Sequence, residues 1–141
     1  MFTVLEITRA DINLTKMMAA IRAAGLEEAL SGVGPFTILA PVNLAFGNLS
    51  PDSMEELLKP GNSEKLADIL SYHILAGKKM LRDFTNGYKL KTIHDKDVNV
   101  LVKDGEIFIN GAKILTRDRQ GSNGVVHSVN AVQVQTEVIV K

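Results

Sequence analysis

The period of the apolar residues changes partway along this chain. Leu14, Met17, Met18 and Ile21 recur at i, i+3, i+4 and i+7, the spacing that lines one face of a helix. Asp11 or Asn13 can cap its start and Gly25 can stop it. Leu26 to Leu30 reads as a short second helix, and Phe36 to Ala40 as a buried strand ended by Pro41. Asn43 can cap a helical turn carrying Phe46. Ser50-Pro51-Asp52 can open another, with Pro at its first position and an acid in its first turn. Asn62 can cap a helix whose apolar face is Leu66, Ile69, Leu70 and then His73.

From Tyr88 the period becomes two. Tyr88, Leu90 and Thr92 alternate with Lys89 and Lys91, and further runs follow at Val98 to Val102, Glu106 to Ile109, Ala112 to Thr116 and Val125 to Gln135. Asn86-Gly87, Asp104-Gly105, Asn110-Gly111 and Asn123-Gly124 fall near their ends, the strongest short hairpin signal. All 4 prolines lie within the first 60 residues, consistent with their exclusion from central strands. In the last run the apolar parity shifts from Val125, His127 and Val129 to Val132 and Val134, which predicts a bulge or bend near Asn130. Helices followed by antiparallel strands place the chain in the α+β class.

Composition narrows the picture. At 141 residues, 45% hydrophobic and 23% charged, the chain has the size and balance of one globular domain over residues 1–141, with no repeat or linker. Sixteen basic residues offset sixteen acidic ones, so nucleic acid and anionic membranes have no global attraction to it. With 0 cysteines, disulfides, thiolate metal sites and cysteine nucleophiles are excluded. No apolar run is long enough for a transmembrane segment. Glu6, Arg9 and Asp11 interrupt the stretch where a secretory signal would need an apolar core, so no signal peptide is expected in this chain.

Phe36-Thr-Ile-Leu-Ala-Pro-Val-Asn-Leu-Ala-Phe46, Tyr72-His73 and Asn123-Gly-Val-Val-His127 resemble, in residues, order and spacing, the first conserved box, the Tyr-His box and the second conserved box of the fasciclin-like (FAS1) adhesion domain. The similarity runs from about Leu5 to about Gln135. It implies a β-sheet wedge or sandwich with helices along one side and a life outside the cytoplasm: secreted, periplasmic or on the cell surface. It also implies that Thr37, Pro41, Asn43, Phe46, His73, Asn123, Gly124 and His127 are the family's structural motif. In animal relatives the Tyr-His region and an Asp-Ile pair before the second box have been linked to adhesion; here the pair reads Asp118-Arg119. The sequence also departs from the family at Leu39, Val42 and Asn130, and at Gln133-Val134-Gln135.

Beside this, the residues are weighed one by one. His73, seven residues after Leu66, and His127, between Val125 and Val129, both read as inward-facing histidines bonded to backbone rather than as ligands. His94 sits in the polar turn His94-Asp95-Lys96-Asp97, so the three histidines make no zinc site. Ser122 or Ser128 near His127, with Asp118 or Asp95, is the best catalytic set available; no Gly-x-Ser-x-Gly turn supports it, and no catalytic residue, metal or cofactor is expected. Arg117 to Ser122 reads as a polar loop, so Tyr72, Asp118 and Arg119 are the partner-binding candidates. Lys78, Lys79, Arg82, Lys89 and Lys91 could contact acidic polysaccharide if the fold gathers them.

The expectation is a non-enzymatic adhesion module binding a cell-surface or matrix protein or an acidic polysaccharide. It would be a monomer or self-associate weakly. The alternative is a small-ligand binder with a pocket near His73 or His127.

Overall fold

The computed structural model describes residues 2–46, 56, 58–93 and 96–132, with Leu81, Arg117 and Asp118 described through their backbone only. The helix start at Ser50-Pro51-Asp52, the His94-Asp95 turn and Gln133-Val134-Gln135 lie outside the described residues.

The chain opens with a helix that the apolar spacing did not announce, α1 (Val4–Ala10). Thr3 Oγ1 accepts from Glu6 N at 3.2 Å and Glu6 Oε1 accepts from Thr3 N at 2.9 Å. This reciprocal capping box satisfies two amides that the helix itself cannot. Asp11 then caps a 3-10 turn (Ile12–Leu14) through Asn13 N at 2.8 Å. The amphipathic helix α2 (Thr15–Ala23) buries Met17, Met18, Ala20 and Ile21, and Gly25, at φ +74°, turns the chain out of it. A short helix α3 (Glu27–Leu30) follows.

The strand β1 (Phe36–Pro41) leads into a helical turn α4 (Asn43–Phe46). The Tyr-His helix α5 (Ser63–Ser71) buries Leu66, Ile69 and Leu70, as its spacing predicts, but ends before His73. Tyr72 stands at its C-terminal cap, and His73 starts the turn into β2 (Ile74–Ala76). Asn62 does not cap α5 with its side chain: its amide donates instead to Glu56 O at 2.5 Å. A 3-10 turn (Leu81–Asp83) then connects to β3 (Lys89–Lys91), β4 (Asp97–Lys103), β5 (Glu106–Ile109), β6 (Ala112–Gly121) and β7 (Gly124–Val129).

One strand expectation needs correction and a second is resolved. Residues 117 to 121 are not a loop, because β6 continues through them to pair with β7. β7 ends at Val129 and the chain bends at Asn130, so the parity change there marks a bend and not a bulge; the register shifts lie in β6, between Ile114 and Thr116 and between Thr116 and Arg119. Extra residues there reverse which face β6 presents. Ile114 packs into the sheet's interior, while Thr116 turns to Ser128 and Arg119 turns to the helices. Asn130 still extends the ladder, as its Oδ1 accepts from Lys113 N at 2.9 Å.

The sheet order is β2-β1-β7-β6-β5-β4-β3. It is mixed rather than wholly antiparallel, since β7 runs parallel to β1, with Leu39 opposite His127. The two ends approach each other through a bridge from Leu75 to Thr92 and a bond from Ile93 N to Ile74 O at 3.0 Å, which curls the sheet towards a barrel.

One core lies between helices and sheet and contains Leu14, Met17, Ile21, Leu70, Ile38, Ile74 and Val126. The other lies inside the curl and contains Leu39, Leu75, Phe84, Val98, Val100, Ile109 and Val129. Successive residues of β1 therefore serve opposite cores, as the alternation of a strand requires. Each fully buried Leu or Ile contributes about 1.5–3 kcal/mol by leaving water.

Candidate functional site

The polar side chains of the motif segments point inward and are bonded there. Asn123 Oδ1 accepts from Val4 N at 2.9 Å, and its Nδ2 donates to Leu30 O and Gly32 O, both at 2.9 Å. Its own carbonyl accepts from Phe36 N at 2.9 Å. Its side chain thus joins the first turn of α1 to the end of α3 while its backbone holds the start of β1, a larger role than the turn its Asn-Gly pair predicts. Gly124 crosses so close to Phe36 that any β-carbon there would collide with its backbone.

Thr37 and His127 share the face of the sheet that lines the inner core, and both hold the segment after β2. Thr37 Oγ1 donates to Gly77 O and accepts from Lys79 N, each at 2.7 Å. His127 Nε2–H donates to Lys79 O at 2.7 Å, and its ring meets Phe84 edge-on at 5.4 Å. The His127 ring is 0% exposed.

His73 is equally buried, and its Nδ1–H donates to Ile69 O at 3.0 Å. Burial pushes its imidazole down to about 4, because the charged form would lose its hydration, and the carbonyls of Ile69 and Leu70 offset only part of that. At neutral pH it is an uncharged structural group.

Asn43 is the first residue of α4, and its side chain serves another helix instead of capping its own turn. Its Oδ1 accepts from Lys16 N at 2.9 Å, while its Nδ2 donates to Thr15 Oγ1 at 2.9 Å and Ile12 O at 3.1 Å. It therefore caps α2 from 27 residues away, where Leu14 at the cap position makes no side-chain bond. Pro41 is the last residue of β1, opposite Val129, and Phe46 is buried in the outer core.

Of the partner-binding candidates, Tyr72 and Arg119 face different ways. Tyr72 is half-buried against the inner core, whereas Arg119 faces the helices, where its Nη1 donates to Asp11 Oδ2 at 2.7 Å. Burial raises the Asp11 carboxyl, but the Asn13 amide and the Arg119 guanidinium outweigh it and hold the group below its ordinary value. Arg119 is thus an ion-paired strand residue, not a free loop charge, so reversing it would unsettle the fold. Asp118 lies in β6, with its side chain outside the described residues.

The basic residues are partly engaged as well: Lys78 Nζ donates to Gln120 Oε1 at 2.6 Å, and Lys91 pairs with Asp97 at 2.9 Å. Ser128 Oγ sits 2.6 Å from Thr116 Oγ1 and accepts from Thr116 N at 3.0 Å, so it serves the β6–β7 ladder. Ser122 is exposed at the hairpin, with its backbone N bonded to Phe2 O. Among the described residues no group of three or more His, Asp or Glu is placed to hold a metal ion. Among them no helix is long and apolar enough to cross a membrane.

A curled mixed sheet with helices against one half, closed by inward-bonded Asn and His residues, defines a class of fold that comparison with known proteins identifies. The fasciclin domain family matches residues 12–135, and the chain belongs to that family. It is 37% identical over 130 residues to Protein sll1483 of Synechocystis, covering 92% of this chain and 72% of that protein. It is 34% identical to transforming growth factor-beta-induced protein ig-h3 of Sus scrofa, covering 94% of this chain but 19% of that much longer protein. Among solved structures, a FAS1 domain pair from the insect cell adhesion molecule Fasciclin I matches with a TM-score of 0.87 and 17% identity. That match covers 99% of this chain and 53% of the other, and it shows the fold alone.

Proposed function

We propose that this chain is a non-enzymatic interaction module that works outside the cytoplasm, holding a cell-surface or matrix protein or an acidic polysaccharide. The observation that carries this reading is the fate of the motif side chains. Thr37, Asn43, His73, Asn123 and His127 each bond the protein's own backbone, and Asn43 also a neighbouring hydroxyl, so the motif maintains a shape and leaves recognition to the surface. Membership of the fasciclin family and the likeness to a cell adhesion molecule support the same role. A ligand at His73 or His127 gains no support, because both rings are 0% exposed and bonded to carbonyls inside the cores.

The contact points proposed are Tyr72 on the inner-core side and Asp118 beside the β6 bulge, acting as separate sites. Weak contacts of this kind gain strength when several modules act together. Adhesion to surfaces coated with the protein, measured for the parent, Tyr72→Ala and Asp118→Lys with circular dichroism as folding control, tests the reading. Loss in either variant with the fold intact supports it. Undiminished adhesion in both, with loss on replacing Lys78, Lys79 and Arg82, would move the contact to the basic segment.

A further inference from the structure

Between the end of α1 and the bulged half of β6 the surface dips into a recess of about 440 Å³, lined by Phe2, Ile7, Ala10, Asp11, Ile12 and Arg119. That volume lies in the range of small-ligand sites. Its walls are apolar except for the ion pair, and two of them stand in water: Phe2 is 65% exposed and Ile12 81%. Large apolar side chains beside a concavity favour a group that covers them.

Arg119 gives the recess its chemistry. Nη1 donates to Asp11 Oδ2 at 2.7 Å, and Asp11 is fixed in turn by Asn13 N at 2.8 Å. Nε and Nη2 are shielded from solvent and have no hydrogen-bond partner among the described residues. A buried donor without an acceptor bears its full desolvation penalty, so an acceptor reaching it is strongly favoured. The Nε and Nη2 hydrogens of a planar guanidinium lie side by side, a fork that matches the two oxygens of a carboxylate.

We infer that this recess binds an organic carboxylate carrying an apolar body. The two oxygens accept from Nε and Nη2 of Arg119, and the body lies against Phe2, Ile7 and Ile12. Phe2, which precedes the first helix, shifts to admit it. A single carbonyl would satisfy only one of the two donors. A tetrahedral dianion would press its remaining oxygens onto apolar walls and double the repulsion from Asp11. That repulsion keeps the carboxylate's affinity modest, and removing the charge at residue 11 strengthens it. A free amphiphilic acid and the C-terminal residue of a polypeptide offer the same chemistry. The inference stands apart from the adhesion role, since it is read on the isolated protein in solution.

The test follows the Arg119 Nε–H resonance of the nitrogen-15-labelled chain by NMR. The titrants are 4-phenylbutyrate, 4-phenylbutyramide, and a short alanine peptide ending in Phe with either a free or an amidated C-terminus. The Arg119 resonance should move with the acids and saturate in about the millimolar range, with the amides about tenfold weaker. Arg119→Lys keeps a cation beside Asp11 but lacks the fork, and should lose the preference for acid over amide. Asp11→Asn keeps the acceptor for Asn13 and should bind the acids about threefold more tightly. Response to the peptide acid alone also supports the inference and assigns the source to a polypeptide terminus. Equal binding of acid and amide, or no Arg119 response up to about 10 mM, overturns it. Should Arg119→Lys fail to fold, the acid and amide arms on the parent chain and on Asp11→Asn still decide.

Discussion

The two halves of the sheet treat polar residues in opposite ways. β1 and β7 lie between helices on one side and the inner core on the other, and every residue of β7 is buried. Polar groups in that half, Thr37, His127 and Ser128 among them, are enclosed and bonded. β4, by contrast, alternates between exposed and buried, with Asp97, Asn99, Leu101 and Lys103 facing water. A strand covered on both faces cannot leave a polar group without a partner, whereas a strand covered on one face has water to serve that purpose. Substitutions of similar chemistry should therefore differ greatly in cost between the halves.

The largest effect is expected at Asn123. Asn123→Ala orphans Val4 N, Leu30 O and Gly32 O, and urea unfolding should show a loss of about 4 kcal/mol. Asn99→Ala, on the exposed face of β4, should stay within about 1 kcal/mol; equal losses at the two sites would erase the contrast.

Next comes His73, where His73→Ala should cost about 1–3 kcal/mol from an orphaned carbonyl and a cavity. His73 also gives the covered half a dependence on pH. Its folded value is about 4 against an ordinary 6.5, so the unfolded chain binds the proton first as pH falls. Its contribution is fully present above 6.5 and lost progressively towards 4, up to about 3 kcal/mol. Comparing parent and His73→Ala by chemical denaturation between pH 7 and pH 5 should show a steeper decline in the parent. Matching slopes would mean that His73 takes up its proton over the same pH range in the folded and the unfolded chain.

Thr37→Val preserves the shape of β1 but removes the bonds to Gly77 O and Lys79 N. It should cost about 2 kcal/mol and raise hydrogen exchange at Lys79 more than at any amide of β4. The smallest change is expected for Leu101→Thr, since Leu101 is 50% exposed on the water-facing side of β4. Stability should move by no more than about 0.5 kcal/mol, and a larger loss would reveal a covered surface there.

The same contrast decides how much could be read beforehand. In the half open to water, alternation survives in the sequence, and Val98, Val100 and Ile109 appear buried where period two puts them. The turn glycines after Asp104 and Asn110 also stand at positive φ between strands. In the covered half the run after Asn123 is apolar on both faces, so its direction, its neighbours and its end had no periodic signature. α1 is marked in the sequence by Thr3 and Glu6 at capping-box spacing and not by an apolar repeat.

By itself the sequence determined the passage from a helical part to a strand-rich part, the buried faces of α2, α5 and β4, the family and the burial of both motif histidines, since these follow from local spacing and from side-chain chemistry. The tertiary structure alone decided that β7 runs parallel to β1, that Asn43 caps a helix 27 residues before it, and that the β6 bulges turn Arg119 to Asp11 rather than into a loop. Those outcomes depend on which orphaned backbone group or charge comes to lie beside which side chain once the chain has closed on itself, and no spacing along the sequence encodes that proximity.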